Sequence, residues 1–176
     1  MKKFIPFAHA LNLYEIAPEF FKSNGVNLLM VDLDNTLDSY LCKKPSDRAI
    51  ELVKNLKENG IDVIIISNNR HDRVQCYAEV LGVDFIWSTG KPFPFKINKY
   101  VKEKGLNKDN IMVVGDQLMT DVVAGKRAKI RTILTEKLVE EDQPTTRINR
   151  IFDRPIRKRL NKKGLLVDWR EKYGTR

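Results

Sequence analysis

Five polar side chains follow the ends of short apolar segments, where they could act on a single ligand. They are Asp32, Asp34, Ser67, Lys91 and Asp116. Clustered carboxylates repel one another unless a cation neutralises them, and their hard oxygen atoms are the ligands that Mg²⁺ prefers. A phosphoryl group can bridge such a cation, an ammonium group and a hydroxyl group. The set therefore predicts phosphate chemistry, and its lack of histidine and cysteine argues against zinc catalysis.

Apolar segments of strand length alternate with helix-like stretches along the chain. The predicted strands are 27–31, 61–66, 83–86, 111–114 and 130–134. The predicted helices are 46–59, 70–81, 93–104 and 118–128. This alternation predicts right-handed βαβ units and an α/β fold, with a central parallel sheet covered by helices on both faces. Ligands of such sheets bind beyond the carboxyl ends of the strands, which is where the five polar residues lie.

Four segments resemble, in order, the motifs of the haloacid dehalogenase superfamily. They are VDLDNTL at 31–37, ISN at 66–68, KP at 91–92 and GDQLMTD at 115–121. This resemblance covers about residues 27–135 and implies the Rossmann-like fold of that superfamily. A narrower likeness, carried by the string at 115–122 and by TRINR at 146–150, is to the YqeG-type, class IIIA phosphatases. That group is similar to the mitochondrial phosphatidylglycerophosphate phosphatase.

The resemblance implies catalytic roles for three residues. Asp32 would be the nucleophile that attacks phosphorus and forms an aspartyl-phosphate. Asp34 would protonate the leaving oxygen and then activate the water that hydrolyses the intermediate. Lys91 would neutralise the negative charge of the phosphoryl group. The chain is therefore expected to be a phosphoric monoester hydrolase.

The resemblance also implies two sets of binding residues. Those expected to bind the substrate phosphate are Thr36, Ser67, Asn68 and Lys91. Those expected to hold Mg²⁺ are Asp32, Asp34, Asp116 and Asp121. Asp34 would contribute its backbone carbonyl, and Asp121 would either bind the metal directly or orient it through water.

The spacing of the motifs bears on the substrate. The gap between Asp34 and Ser67, like that between Ser67 and Lys91, holds one helix and one strand, which leaves no room for an inserted cap domain. An open site suits phosphates on large or surface-bound molecules, by analogy with capless relatives. We therefore expect a lipid head group such as phosphatidylglycerophosphate as substrate. A small metabolite, a nucleotide or a phosphoprotein is the alternative.

Positive charge is concentrated in the last part of the chain. The net charge is +9, and residues 143–176 hold 11 Lys/Arg against 3 Asp/Glu. Such a basic extension attracts anionic surfaces, so a membrane surface is the expected partner. The apolar residues expected to help at that surface are Phe4, Ile5, Phe7, Leu11 and Leu13. A packed N-terminal arm with a solvated tail is the alternative, and an RNA- or ribosome-associated protein is less favoured.

The remaining features place the protein in a broad class. No apolar run approaches the roughly 20 residues that span a bilayer, so we expect a cytoplasmic protein, peripheral at the inner face of the membrane. One domain is expected over residues 1–176, with a core at about 27–135 and the basic extension at about 143–176. Asp38 is expected to face water from its loop. Pro155 is expected to interrupt a helical face in the extension.

Overall fold

A six-stranded sheet forms the centre of the computed structural model, which describes residues 1–139 and 144–174, the latter with side chains from Ile151 onward. The strands are β1 (Ala8–Ala10), β2 (Leu28–Val31), β3 (Asp62–Ile66), β4 (Asp84–Ile86), β5 (Ile111–Gly115) and β6 (Arg131–Thr135). Their order across the sheet is β1-β6-β5-β2-β3-β4, and every pairing is parallel. All six strands therefore end at one edge, called here the carboxyl edge, and the predicted fold class is confirmed.

The described residues form six α-helices, five of them between successive strands and the sixth after β6. They are α1 (Pro18–Ser23), α2 (Asp47–Glu58), α3 (His71–Leu81), α4 (Phe95–Glu103), α5 (Val123–Ala128) and α6 (Pro144–Lys162). The Ser46 side chain caps α2 by accepting a hydrogen bond from the Ala49 N–H at 3.2 Å. Gly82 ends α3 in the left-handed conformation, with φ 60°, which glycine adopts at little cost. The predictions of α2, α3 and α4 are confirmed to within two residues.

The core has two layers because successive strand residues point to opposite faces of the sheet. In β2, Leu29 and Val31 belong to the larger cluster, which also buries side chains of α1, α2 and α3. Leu28 and Met30 belong to the second cluster, which buries side chains of α4 and α5. Burying each large side chain contributes about 1.5–3 kcal/mol, so both layers hold the strand ends in place.

The N-terminal arm packs on the sheet, which corrects the expected role of its apolar residues. β1 pairs with β6 at the edge of the sheet. Leu13 is fully buried in the larger cluster, and Phe7 packs against it. Phe4 and Ile5 pack against a third cluster, beneath α6. Of the five residues expected at a membrane, only Leu11 is exposed, so the packed arm is the arrangement found.

Helix α6 continues through Pro155, so the expected interruption is wrong. A proline inside a helix removes the hydrogen bond to the carbonyl four residues earlier, here that of Ile151. Ile151 is exposed, so water can satisfy that carbonyl. On its inner face, α6 buries Leu160 against the third cluster. The side chains of 146–150, which carry part of the narrower resemblance, lie outside the described part of the chain.

The carboxyl edge is open between the motifs. Residues 32–95, all of them described, contain α2, β3, α3 and β4 with their loops and no inserted domain. None of the described helices is long and apolar enough to cross a bilayer.

Candidate active site

Lys91 lies at the centre of a buried group of charges. Its Nζ atom donates hydrogen bonds to Oδ1 of Asp32 at 2.5 Å, to Oδ1 of Asp121 at 2.7 Å and to the carbonyl oxygen of Ile66 at 2.9 Å. The lysine side chain is only 2% exposed. Burial alone would lower its pKa, but the two carboxylates raise the pKa above its usual value. The ammonium group is therefore held charged inside the protein.

Three carboxylates meet at this lysine. Ligand atoms of Asp32, Asp116 and Asp121 all lie within 4.8 Å of one another, and all three residues are buried. Burial raises the pKa of Asp32 well above its ordinary value, and Asp121 and Asp116 add to this, whereas Lys91 acts against it. Three buried carboxylates this close together repel one another, and a divalent cation among them would offset that repulsion. The oxygen-only donor set also fits a hard metal ion.

The loop after β2 positions the first carboxylate. The N–H of Asp32 donates to the carbonyl of Val114 at 2.9 Å, which continues the pairing of β2 with β5 past the end of the strand. The loop then turns tightly, with Asn35 in the left-handed conformation at φ 67°. Thr36 is buried in this turn, and among the described residues its Oγ1 has no hydrogen-bond partner. The turn therefore fixes Asp32 by its backbone.

The loop after β4 carries Lys91 to the site, and Asn68 anchors it there. The side-chain oxygen of Asn68 accepts from the Lys91 N–H at 2.9 Å, and its Nδ2 donates to the Lys91 carbonyl at 3.0 Å. The side-chain amide of Asn68, a residue expected at the substrate phosphate, holds the lysine backbone. Ser67 is buried beside it, and its Oγ accepts from the Asn69 N–H at 3.1 Å. Its hydroxyl proton is still available for a ligand.

Asp34 lies outside the carboxylate cluster. Its Oδ1 accepts from Nη2 of Arg73 at 2.5 Å and from Nε at 3.2 Å, and its Oδ2 accepts from Nδ2 of Asn69 at 2.9 Å. Arg73 also donates to the carbonyls of Tyr40 and Cys42, so it ties Asp34 to the loop before α2. No sequence pattern indicated this role of Arg73, because a lone arginine on a helix normally faces solvent.

The expected exposure of Asp38 is wrong. Its side chain is buried and accepts hydrogen bonds from the Ser46 N–H at 2.8 Å and from the Ser39 N–H at 3.1 Å. Both N–H groups belong to the loop that enters α2, where no helical partner exists for them. Asp38 therefore closes this loop and takes no part in the charge cluster.

Residue 115, before Asp116, is a glycine because its backbone lies against the Asp121 side chain. A Cβ atom on Gly115 would lie 2.3 Å from Cγ of Asp121, so a larger residue would displace that carboxylate. A π-helical turn, Leu118–Val122, follows and carries Asp121 back to the strand end. Its Oδ2 accepts from the Gln117 N–H at 3.1 Å, while its Oδ1 accepts from Lys91. Asp121 is thus held by its own loop and in turn holds the lysine.

Two residues of α6 support this same loop. The carboxylate of Asp153 is buried and accepts from the Leu118 N–H at 2.8 Å and from the Met119 N–H at 3.0 Å. Burial raises the pKa of Asp153, and these two N–H groups counter the shift. Nη2 of Arg157 donates to the carbonyl of Asp116 at 2.8 Å. The basic extension therefore braces the residues around Asp116, a role that its charge pattern did not indicate.

Replacing Asp153 by alanine is expected to lower both stability and turnover. It leaves two buried N–H groups without acceptors, at a cost of about 1–3 kcal/mol each. Asp153→Asn keeps one acceptor oxygen and should lose about half as much. Urea unfolding and hydrolysis of a soluble phosphate monoester measure the two effects, with the exposed Asp109→Asn as control. Wild-type stability in Asp153→Ala would contradict the bracing role.

Comparison with known proteins agrees with this geometry. The model of the haloacid dehalogenase-like hydrolase family matches residues 5–129. Over 170 residues, the chain is 38% identical to "Probable phosphatase YqeG" of Bacillus subtilis (strain 168), covering 97% of this chain and 98% of that one. Over 173 residues it is 27% identical to phosphatidylglycerophosphate phosphatase 1, chloroplastic/mitochondrial, of Arabidopsis thaliana. That match covers 92% of this chain and 49% of the plant protein.

Solved structures share the fold. A structure from Vibrio cholerae, provisionally named a 3-deoxy-D-manno-octulosonate 8-phosphate phosphatase, aligns with TM-score 0.56 at 17% identity and covers 85% of this chain and 95% of that one. The enzyme of that name from Yersinia pestis aligns with TM-score 0.50 at 15% identity, over 69% and 79% of the two chains. Together, the family model, the full-length relative and the converging strand ends establish that this chain belongs to the haloacid dehalogenase-like hydrolase family and is a phosphatase of that family.

Proposed function

We propose that this phosphatase hydrolyses a phosphate monoester through an aspartyl-phosphate on Asp32, with Mg²⁺ as cofactor. The observation that carries the proposal is the buried contact between Asp32 Oδ1 and Lys91 Nζ, which are 2.5 Å apart. Ligand atoms of Asp32, Asp116 and Asp121 also lie within 4.8 Å of one another. A carboxylate beside a fixed ammonium group can approach an anionic phosphate that would otherwise repel it. No other cluster of three potential metal ligands is found among the described residues.

The proposed reaction has two steps, formation of the aspartyl-phosphate and its hydrolysis. An Asp32 oxygen attacks phosphorus while the bond from phosphorus to the leaving oxygen breaks, and Asp34 gives that oxygen a proton. Asp34 then takes a proton from a water molecule whose oxygen attacks the aspartyl-phosphate, which releases phosphate and restores Asp32. Lys91 offsets the charge of the phosphoryl group in both steps, and the Ser67 hydroxyl donates to one of its oxygens. In the structure Arg73 and Asn69 hold both oxygens of Asp34, so Asp34 exchanges one of these contacts for the leaving oxygen when it transfers the proton.

Asp32 and Asp116, with the backbone carbonyl of Asp34, are the residues that would hold Mg²⁺. The bound ion supplies positive charge that neutralises the carboxylates and the phosphoryl oxygens. Both side-chain oxygens of Asp121 already accept hydrogen bonds, from Lys91 and from the Gln117 N–H. This arrangement favours Asp121 as the residue that orients the site, rather than as a direct ligand.

Mg²⁺ is expected to raise the melting temperature of the protein. A ligand at 100 times its Kd stabilises the folded state by about 2.7 kcal/mol, which corresponds to roughly 5–10 °C for a chain of this length. Differential scanning fluorimetry in EDTA and in excess Mg²⁺ measures the shift. Asp116→Asn should abolish most of it, whereas Asp109→Asn, at an exposed carboxylate, should leave it intact. Equal shifts in the two variants would place the ion elsewhere.

For the substrate we propose a lipid head-group monoester such as phosphatidylglycerophosphate, reached from the cytoplasmic side of an anionic membrane. Two observations support this choice. No inserted domain lies over the site within residues 32–95, so a phosphate that projects from a surface can enter. The plant relative is named for that lipid substrate, and this chain aligns with it over 92% of its length.

A panel of phosphate monoesters tests the proposal. Phosphatidylglycerophosphate in vesicles, a sugar phosphate, a nucleotide monophosphate and a phosphopeptide are compared at equal concentration with Mg²⁺ present. The lipid should give the highest kcat/KM, and both Asp32→Asn and Asp34→Asn should lose turnover on it while still unfolding cooperatively. Phosphate release from soluble monoesters alone would exclude the lipid and retain the phosphatase. Release that survives in Asp32→Asn would exclude the aspartyl-phosphate.

A further inference from the structure

Four large apolar side chains stand exposed on the chain segments near the residues of the site. Leu41 is 59% exposed, Trp87 43%, Phe93 54% and Phe95 74%. These four residues are called the apolar rim. Folding normally covers such side chains, and a contiguous exposed group of them marks an interaction surface. The rings of Phe93 and Phe95 stack on each other, with centroids 6.1 Å apart and an interplanar angle of 12°, so they form one aromatic patch.

The rim adjoins the reacting residues on two sides. Phe93 lies two residues after Lys91, and the next helix, α4, begins at Phe95. Trp87 directly follows β4 in the same connection. On the other side, Leu41 lies between Tyr40 and Cys42, whose carbonyls accept from the arginine that holds Asp34. The four exposed side chains therefore belong to the two connections that supply Lys91 and anchor the arginine bound to Asp34.

Cations surround the rim. Nζ of Lys96 lies 4.6 Å from the centroid of the Trp87 ring, and the guanidinium carbon of Arg127 lies 5.3 Å from that of Phe93. Lys43, Lys44 and Arg70 are exposed on the adjoining loops, and the exposed carboxylates nearby are Asp47 and Asp72, in the first turns of α2 and α3. Aromatic rings that carry cations on their faces suit the boundary between lipid acyl chains and head groups. The excess of positive charge suits anionic lipid.

We infer that the apolar rim docks on the surface of an anionic phospholipid bilayer and brings the site onto head-group phosphates. The inference rests on the proposed function and names the surface that serves it. It replaces the N-terminal residues expected at the membrane, because Leu13 is buried and Phe7 packs on the core. Trp87, Phe93 and Phe95 enter the interfacial region, while Lys96 and Arg127 stay level with the lipid phosphates.

Trp87 provides a direct signal of docking. The chain has two tryptophans, and Trp169 is only 5% exposed, so a fluorescence change on binding reports Trp87. Phosphatidylcholine vesicles that contain phosphatidylglycerol should shift the emission to shorter wavelength, and vesicles of phosphatidylcholine alone should not. Trp87→Phe should remove the signal while retaining sedimentation with the anionic vesicles. Equal binding to both kinds of vesicle would overturn the role of the cations.

Variants of the rim separate docking from catalysis. Phe93→Ser/Phe95→Ser should weaken vesicle binding by about tenfold or more, since two interfacial aromatics are lost. Lys96→Glu should weaken it as well and should raise its sensitivity to salt. Turnover of the soluble substrate p-nitrophenyl phosphate should stay at the wild-type level in both, which also shows that they fold. The control is Val80→Ser, which removes an exposed apolar side chain near the far end of α3.

The outcomes keep this inference distinct from the proposed function. Asp32→Asn should bind vesicles like the wild type and turn over nothing. Wild-type hydrolysis of p-nitrophenyl phosphate without any vesicle binding would remove the docking surface and leave the phosphatase. Vesicle binding that is unchanged in the rim variants would assign docking to another surface. If the protein does not bind vesicles but forms concentration-dependent dimers, and the rim variants abolish those dimers, the rim would be a contact between copies of this chain.

Discussion

Asp32→Asn is expected to abolish phosphate release while the protein stays folded. The amide nitrogen and oxygen match the carboxylate in shape, but an amide does not displace the leaving group from phosphorus. Loss of a nucleophile costs on the order of 10⁴-fold or more in kcat. Steady-state assays with p-nitrophenyl phosphate measure this loss, and circular dichroism monitors the fold. Residual activity within tenfold of the wild type would remove the covalent mechanism, whereas Asp109→Asn should behave as the wild type.

The same substitution is expected to change how stability depends on pH in EDTA. Burial places the folded-state pKa of Asp32 above its ordinary value of 3.8, so ionising this carboxyl costs folding free energy. The cost is absent below pH 3.8 and grows as the pH rises towards the folded-state pKa. Asp32→Asn lacks this pH-dependent cost, so the margin between its free energy of unfolding and that of the wild type should change in favour of the variant as the pH rises. Urea unfolding at several pH values measures the margin, and a constant margin would contradict the shift.

Lys91→Met is expected to damage both stability and turnover. It leaves three buried carboxylates with no ammonium group among them, and removing one partner of a buried ion pair costs about 3–5 kcal/mol. Urea unfolding measures the loss in EDTA. Excess Mg²⁺ should recover part of the stability, since it also neutralises the carboxylates, but it should not recover turnover, because the positive charge facing the phosphoryl group is gone.

A surface lysine is the control for this effect. Lys99 on α4 is largely exposed and pairs with Glu103 at 3.8 Å. Lys99→Met should change the free energy of unfolding by no more than about 0.5 kcal/mol. If Lys91→Met were equally mild, the carboxylates would have to be protonated in the folded protein, and the electrostatic account of the site would be wrong.

The site residues at the strand ends could be predicted from the sequence, because each of them follows an apolar segment of strand length. Asp32, Lys91 and Asp116 each follow an apolar segment, and parallel pairing brings the ends of those segments to one edge. The helices α2 and α3 could also be predicted from the sequence, because a capping serine marks the start of α2 and a glycine marks the end of α3. Their placement needed no knowledge of distant contacts.

The supporting residues could not be predicted, because their partners are remote in sequence. Asp153 meets the Leu118 N–H across 35 positions, and Arg73 meets Asp34 across 39. β1 was missed for a related reason: three residues with the pattern Ala-His-Ala carry little strand signal, and pairing with β6 makes them a strand. Such contacts depend on the finished fold rather than on local propensity.

The attachment of α6 to the Asp116 loop has a consequence for how the enzyme matures. Synthesis runs from the N-terminus, so all six strands, with Asp32, Lys91 and Asp116, leave the ribosome before Asp153 and Arg157 do. Until those two residues arrive, the Leu118 and Met119 N–H groups lack their acceptor and the loop that holds Asp121 lacks its brace. A nascent chain therefore carries Asp32, Lys91 and Asp116 before α6 can complete the support of the loop around Asp116.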